Sequence, residues 1–125
     1  MIVGIGLDII ETERLGRALS RHGGRFEARV YTSAEVAACA CRADREQALA
    51  ARFAAKEACL KALGTGWAEG LGFRQIEVRS GEGGKPEIHL TDAAATRAKD
   101  LGVRSIHVSL THQPGVAAAM VVLES

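Results

Sequence analysis

Aromatic side chains are scarce. The 125-residue chain holds one Trp, one Tyr and three Phe, too few for the stacking platforms that grip single-stranded nucleic acid. Neither sign of charge is in excess, because 16 Lys and Arg stand against 15 Asp and Glu. Global attraction to nucleic acid or to a membrane surface is therefore not expected, although a local basic patch stays compatible with the count. Cysteine is limited to Cys39, Cys41 and Cys59. The number is odd and no CxxC occurs, which argues against a secreted disulfide framework and a structural zinc site. Three reduced thiols in the cytosol are expected instead. The most apolar run, Val116 to Leu123, is far too short to span a bilayer. The opening Met1 to Asp8 has no basic segment and meets an acid at once, unlike a signal peptide. The P-loop and the Rossmann glycine fingerprint are absent, as are internal repeats and low-complexity linkers.

What is present is globular: 47% hydrophobic and 25% charged residues, in a length that suits one domain over residues 1–125. Ile2 to about Asp8 is β-branched and reads as a buried strand. Glu11 to His22 reads as a helix with Leu15, Ala18, Leu19 and His22 on one face and Arg14, Arg17 and Arg21 on another, ended by Gly23-Gly24. Thr32-Ser33-Ala34-Glu35 has capping-box spacing and opens a second helix towards Cys41. Asp44 to Leu63 is the longest helical stretch, with Leu49, Phe53, Leu60 and Leu63 on one stripe and Gly64-Thr65-Gly66 as its stop. Phe73 to Arg79 alternates as a strand, Gly81 to Pro86 is a turn, and Glu87 to Leu90 a returning strand. Thr91 caps a helix from Asp92 to Leu101, and two strands, about Ser105 to Thr111 and Val116 to Leu123, close the chain around Gln113-Pro114-Gly115. Helices mixed with hairpins favour an α+β fold over a doubly wound sheet.

Five features could carry chemistry. In Arg52-Phe53-Ala54-Ala55-Lys56-Glu57-Ala58-Cys59-Leu60-Lys61, Glu57 and Lys61 are helix neighbours at i,i+4 that flank the apolar stripe, and a surface ion pair would explain them. Lys56 falls inside the stripe, where an unpaired ammonium is costly, so it must snorkel, pair with an acid or face an anion. Asp8 ends an apolar run just before a helix. It serves either the helix N-terminus or, if it meets Glu57, a hard-oxygen site with few protein ligands, as Mg²⁺ uses when it also takes waters and substrate phosphate. In His107-Val108-Ser109-Leu110-Thr111-His112, alternation puts His107, Ser109 and Thr111 on one face, and His112 at the strand end is either a surface residue or functional. Gly64-Thr65-Gly66 is either a helix stop or a backbone cradle for phosphate. The Arg14, Arg17 and Arg21 face, followed by Arg25 and Arg29, is either a solvated helix face balanced by Glu11, Glu13 and Glu27 or a docking surface for an acidic partner.

Gly4-Ile5-Gly6-Leu7-Asp8-Ile9, the block Phe53-Ala54-Ala55-Lys56-Glu57-Ala58 with Lys61, Gly64-Thr65-Gly66, Gly84-Lys85-Pro86 and Val108-Ser109-Leu110-Thr111-His112 together resemble the holo-acyl carrier protein synthase family. These are small 4′-phosphopantetheinyl transferases, and the likeness runs through nearly the whole chain in order. The resemblance implies a 4′-phosphopantetheinyl transferase fold, α+β, with mixed helices and an antiparallel-rich sheet. It implies transfer of the phosphopantetheine arm of coenzyme A to a serine of apo-acyl carrier protein, dependent on Mg²⁺, with release of adenosine 3′,5′-bisphosphate. By position, Asp8 and Glu57 match the metal-binding acids. Lys61 matches the lysine at the transferred phosphate or leaving group. Arg52, Gly64 and His112 match positions near the coenzyme A phosphates and nucleotide. Arg14, Arg21 and Arg25 match the basic surface that holds the acidic carrier. A cytoplasmic homotrimer with active sites between subunits, serving lipid metabolism such as fatty acid biosynthesis, is also implied.

Phosphoryl transfer asks mainly for positioning and charge neutralisation. Lys61 can neutralise the leaving phosphate or supply its proton, and the proton of the attacking serine needs an acceptor, Glu57 or Asp8, through water at the metal. The competing readings are a coenzyme A-binding or carrier-binding module without transfer activity, and a small Mg²⁺-dependent phosphohydrolase. Trp67 and the Cys39 to Cys41 stretch match no motif of the family.

Overall fold

The computed structural model describes residues 1–21, 24–65 and 70–125. Strand β1 (Ile2–Glu11) is followed by helices α1 (Thr12–Arg21), α2 (Arg25–Val30), α3 (Ser33–Cys39) and α4 (Arg45–Leu63). Then come strands β2 (Ile76–Ser80) and β3 (Pro86–Leu90), helix α5 (Asp92–Asp100), and strands β4 (Ser105–Gln113) and β5 (Val116–Glu124). All strand pairings are antiparallel, in a three-stranded sheet of order β1-β5-β4 and a separate β2–β3 hairpin. This is the α+β arrangement that the alternation of helix and hairpin patterns predicts.

Helix α4 lies across one face of the large sheet. The sheet residues beneath it are small: Gly4 and Gly6 on β1, Ala117 and Ala119 on β5. A Cβ on Gly6 would stand 1.8 Å from the Ala58 carbonyl oxygen, and one on Gly4 2.2 Å from that of Ala62. Only glycine lets the helix backbone rest on the strand backbone there. The helix is also more enclosed than a single stripe, because Ala48, Ala50, Ala51, Ala54, Ala55 and Ala58 are buried beside Leu49, Leu60 and Leu63. The alanines make α4 narrow, so the sheet, α3, α5 and the hairpin can all approach it.

The other face of the sheet is bare. Ile5, Leu7 and Ile9 are 61%, 60% and 69% exposed, and Met120 beside them 42%. His107, Ser109 and Thr111 continue that face on β4, as the alternation predicts.

Local signals and structure differ at a few places. Strand β1 runs on to Glu11, three residues past Asp8, because its pairing with β5 continues to Val116. Arg25–Val30 forms a short helix that six residues without a side-chain cap do not announce. Phe73–Gln75 is a 3₁₀ turn rather than the start of a strand, and the Gly81 to Pro86 turn contains another at Glu82–Gly84. The Thr32/Glu35 capping box is formed as its spacing predicts. Thr91 sits at the N-cap of α5, but its side chain makes no capping hydrogen bond. The places of His22, Gly23, Gly66 and Trp67 in the sequence reading lie outside the described residues.

Candidate active site

Gly6 and the Ala-rich α4 bring the two predicted acids together. Asp8, two residues along β1, and Glu57 on α4 line one cavity of about 360 Å³ with Arg14, Phe26 and Phe53 among its walls. Phe26 and Phe53 rings lie 6.0 Å apart by centroid, and such apolar walls strip water from Glu57. Burial, then the charge of Asp8, raise the Glu57 carboxyl above the ordinary range, with Lys61 opposing. Two like charges held together in partly dry surroundings favour either a shared proton or a cation.

Lys61 does not form the i,i+4 surface pair with Glu57. Its Nζ donates to Asp8 Oδ1 at 3.1 Å and to the Leu7 carbonyl at 2.8 Å, so two of its three N–H groups are used and the third is open to a ligand. The Asp8 side chain is 17% exposed and that of Lys61 54%. The ammonium is thus the more exposed partner and the carboxylate the more buried one.

Two carboxylates are a sparse ligand set. Among the described residues no cluster of three or more His, Cys, Asp or Glu could hold a metal. The donors that do converge, Asp8 and Glu57, are hard oxygens that suit Mg²⁺ and leave most of its shell to water and phosphate oxygens.

A second cavity, of about 350 Å³, lies on another flank of α4. Arg52 and His112 both line it. Arg42, Arg79 and Ser80 line it too, along with Gly84 and Pro86 of the β2–β3 turn. Arg52 is buried; among the described residues its Nε has no hydrogen-bond partner and its Nη1 reaches only the Ala48 carbonyl, at 3.4 Å. A buried guanidinium with donors to spare beside further arginines is an anion site in waiting. Sequence patterns did not single out Arg42 and Arg79. Each has a nearby acid, Asp44 and Glu77 respectively, that makes it look like an ordinary surface pair.

The other predicted positions separate. Gly64 closes α4 in a left-handed conformation (φ 73°), and its N–H bonds to Leu60 O and Lys61 O. That amide is committed to the helix end. The neighbouring Thr65 hydroxyl is buried and has no hydrogen-bond partner among the described residues. Arg14 faces the Asp8–Glu57 cavity, Arg21 a groove along α1 with Glu13, Arg17 and Glu46, and Arg25 opens α2. Arg17 is paired to Glu13 at 3.0 Å, whereas Arg14, Arg21 and Arg25 form no ion pair among the described residues.

Lys56 takes the second of its three options, with an acid away from the Asp8–Glu57 cavity. It is wholly buried, 2.7 Å from Glu35 Oε1, and burial pulls its ammonium below the usual range while Glu35 opposes. The cysteines are free, with Cys39 and Cys59 buried and Cys41 exposed. Burial pushes the Cys59 thiol up to about 12, which keeps it unreactive.

Comparison with known proteins matches residues 4–119 to the 4′-phosphopantetheinyl transferase superfamily. The chain belongs to that family. It is 45% identical to the holo-[acyl-carrier-protein] synthase of Maridesulfovibrio salexigens, over 99% of both chains. The crystal structure of the Neisseria meningitidis holo-[acyl-carrier-protein] synthase superposes with a TM-score of 0.92 at 34% identity, over the full length of both chains. The Bacillus anthracis enzyme, solved in complex with CoA (3′,5′-ADP), gives 0.82 at 37% identity over 100% of this chain and 98% of that one. This chain is thus a phosphopantetheinyl transferase with the transferase fold. No helix among the described residues is long and apolar enough to cross a membrane.

Proposed function

We propose that this phosphopantetheinyl transferase moves the 4′-phosphopantetheine arm of coenzyme A to a serine of an acyl carrier protein, with Mg²⁺, and releases adenosine 3′,5′-bisphosphate. Donor and acceptor follow from the relatives' names and from the CoA complex of the Bacillus anthracis relative. The observation that carries the reading is the meeting of Asp8, Glu57 and Lys61 in one place from residues about 50 apart in sequence. Asp8 and Glu57 would hold Mg²⁺, which supplies charge neutralisation at the pyrophosphate when bound. Lys61, with one N–H open, binds the leaving phosphate and can supply its proton. Glu57 or Asp8 would accept the serine proton through a water. Arg52 and His112, which share the second cavity, take the nucleotide phosphates, and Gly64, whose amide is held by the helix end, places the neighbouring Thr65 hydroxyl for a phosphate. Arg14, Arg21 and Arg25, free of ion pairs, steer the acidic carrier towards the Asp8 cavity.

The active unit is a homotrimer in the cytoplasm, and its product serves fatty acid biosynthesis. Support for assembly comes from the bare sheet face of Ile5, Leu7, Ile9 and Met120, too apolar for a surface that stays in water. The two cavities also lie at opposite edges of the sheet: one against β1, the other against β4, with α4 across the space between. One coenzyme A molecule then uses the Arg52 cavity of one subunit and the Asp8–Glu57–Lys61 group of its neighbour. Mixing tests this. Arg52→Ala and Glu57→Ala variants, each inactive alone, regain part of the adenosine 3′,5′-bisphosphate release after subunits are unfolded and refolded together. No recovery in mixed oligomers places both halves in one chain.

A further inference from the structure

The β2–β3 hairpin is not hydrogen-bonded into the large sheet, yet it supplies one wall of the Arg52 cavity through Val78, Arg79, Ser80 and Pro86. The opposite wall is α4, with Ala48, Ala51 and Arg52. What joins the walls is a buried polar lock. Lys56, one helical turn beyond Arg52, donates through Nζ to Phe73 O at 3.0 Å and Ile76 O at 2.6 Å, and pairs with Glu35 Oε1 at 2.7 Å. Glu35 Oε2 accepts the Val78 N–H at 2.7 Å, and Glu35 Oε1 also accepts the Thr32 N–H at 2.9 Å. All three N–H groups of the ammonium are used, and both side chains are 0% exposed.

A buried ion pair is a weak source of stability, since an apolar pair of similar volume often serves as well. What it does supply is geometry. The Lys56 bonds hold the Phe73 and Ile76 carbonyls against α4, Glu35 holds the Val78 N–H against α3, and the ion pair joins the two; Val78 is both a bonded residue and a wall of the cavity. Neither Lys56 nor Glu35 lines the cavity, so neither is a ligand.

We propose that Lys56 and Glu35 are positioning residues for coenzyme A binding: they hold the hairpin wall at the separation from Arg52 that the nucleotide requires. This rests on the reading that the Arg52 cavity takes the nucleotide.

The test combines initial rates at varied coenzyme A, with saturating carrier and Mg²⁺, and metal-free equilibrium binding of adenosine 3′,5′-bisphosphate. The variants are Glu35→Gln, which keeps the shape of the side chain, and the double Lys56→Met/Glu35→Met, which leaves no unpaired buried charge. Either suffices if the other fails to fold. Val121→Ala, a core change under α4, controls for lost stability, and Arg52→Ala for the location of the nucleotide. In the lock variants KM for coenzyme A and Kd for the bisphosphate rise about ten-fold, while kcat stays within about three-fold and the Mg²⁺ requirement is unchanged. Val121→Ala moves neither KM nor Kd. Unchanged KM and Kd in the lock variants, or an equal rise in Val121→Ala at matched melting temperature, overturn the proposal while Arg52→Ala still weakens binding. Wild-type affinity in Arg52→Ala instead overturns the underlying placement of the nucleotide, and the proposal with it.

Discussion

Replacing Gly6 with alanine should dismantle the active site without touching a functional group. The new Cβ would lie 1.8 Å from the Ala58 carbonyl oxygen and 3.0 Å from the Ala62 N. The obstacle is helix backbone, so no rotamer change relieves it. Restoring even the closest tolerated carbon–oxygen contact needs α4 to withdraw from β1 by about 1.2 Å or more. Overpacking of this kind costs about 1–3 kcal/mol, and backbone on both sides puts the cost at the top of that range. The same withdrawal separates Asp8 on β1 from Glu57 and Lys61 on α4. The 3.1 Å Lys61–Asp8 contact would lengthen towards 4 Å or beyond, leaving the two carboxylates proposed to hold the metal too far apart for a small cation. Urea unfolding should give a midpoint well below wild type. At a temperature where the variant is still folded, the Mg²⁺ concentration for half-maximal transfer should rise about ten-fold or more. Wild-type stability together with wild-type Mg²⁺ activation in Gly6→Ala would refute the claim that the close approach of β1 and α4 builds the site.

Two further predictions follow from the charges. Arg21→Glu and Arg25→Glu, outside the Asp8–Glu57 cavity, should raise KM for the carrier at least about ten-fold, most at low salt, and leave coenzyme A binding unchanged; equal loss of both substrates would remove these arginines from carrier docking. Glu57→Gln should lower transfer about a hundred-fold or more yet raise the metal-free melting temperature at neutral pH. The sign follows from the raised carboxyl: a folded-state pKa above the usual 4.5 means that ionising Glu57 costs stability as pH rises through that value. The gain from glutamine should therefore vanish at pH 4 and below. A melting temperature that falls at neutral pH would contradict this account of Glu57.

Local patterns revealed much of the fold because its long elements are locally consistent. The alternation of β4, the capping box at Thr32 and the glycine stop at Gly64 each act through a physical mechanism confined to a few residues. Helix α2 escaped because six residues carry too little periodicity, and the 3₁₀ turn at Phe73 because its residues also suit a strand. Site geometry was legible only through family likeness. No spacing rule places Asp8 against Lys61, since what joins them is the pair of glycines under α4, seen only when helix and strand are packed. The helical angle of Lys56 alone marks it as anomalous, but its partner lies 21 residues upstream on α3 and gives no local sign. Arg42 and Arg79 were invisible for a related reason, because the cavity they line exists only after the hairpin folds against α4.

Intact-protein mass spectrometry of an apo-acyl carrier protein, incubated with this protein, coenzyme A and Mg²⁺, tests the central claim most directly. Parallel samples contain EDTA or the Asp8→Ala/Glu57→Ala variant. The carrier should gain the mass of one phosphopantetheine group with the wild-type protein and metal, and nothing in either control. A carrier left unmodified by wild type, in a sample where coenzyme A binds, would contradict transfer and leave a binding protein in its place.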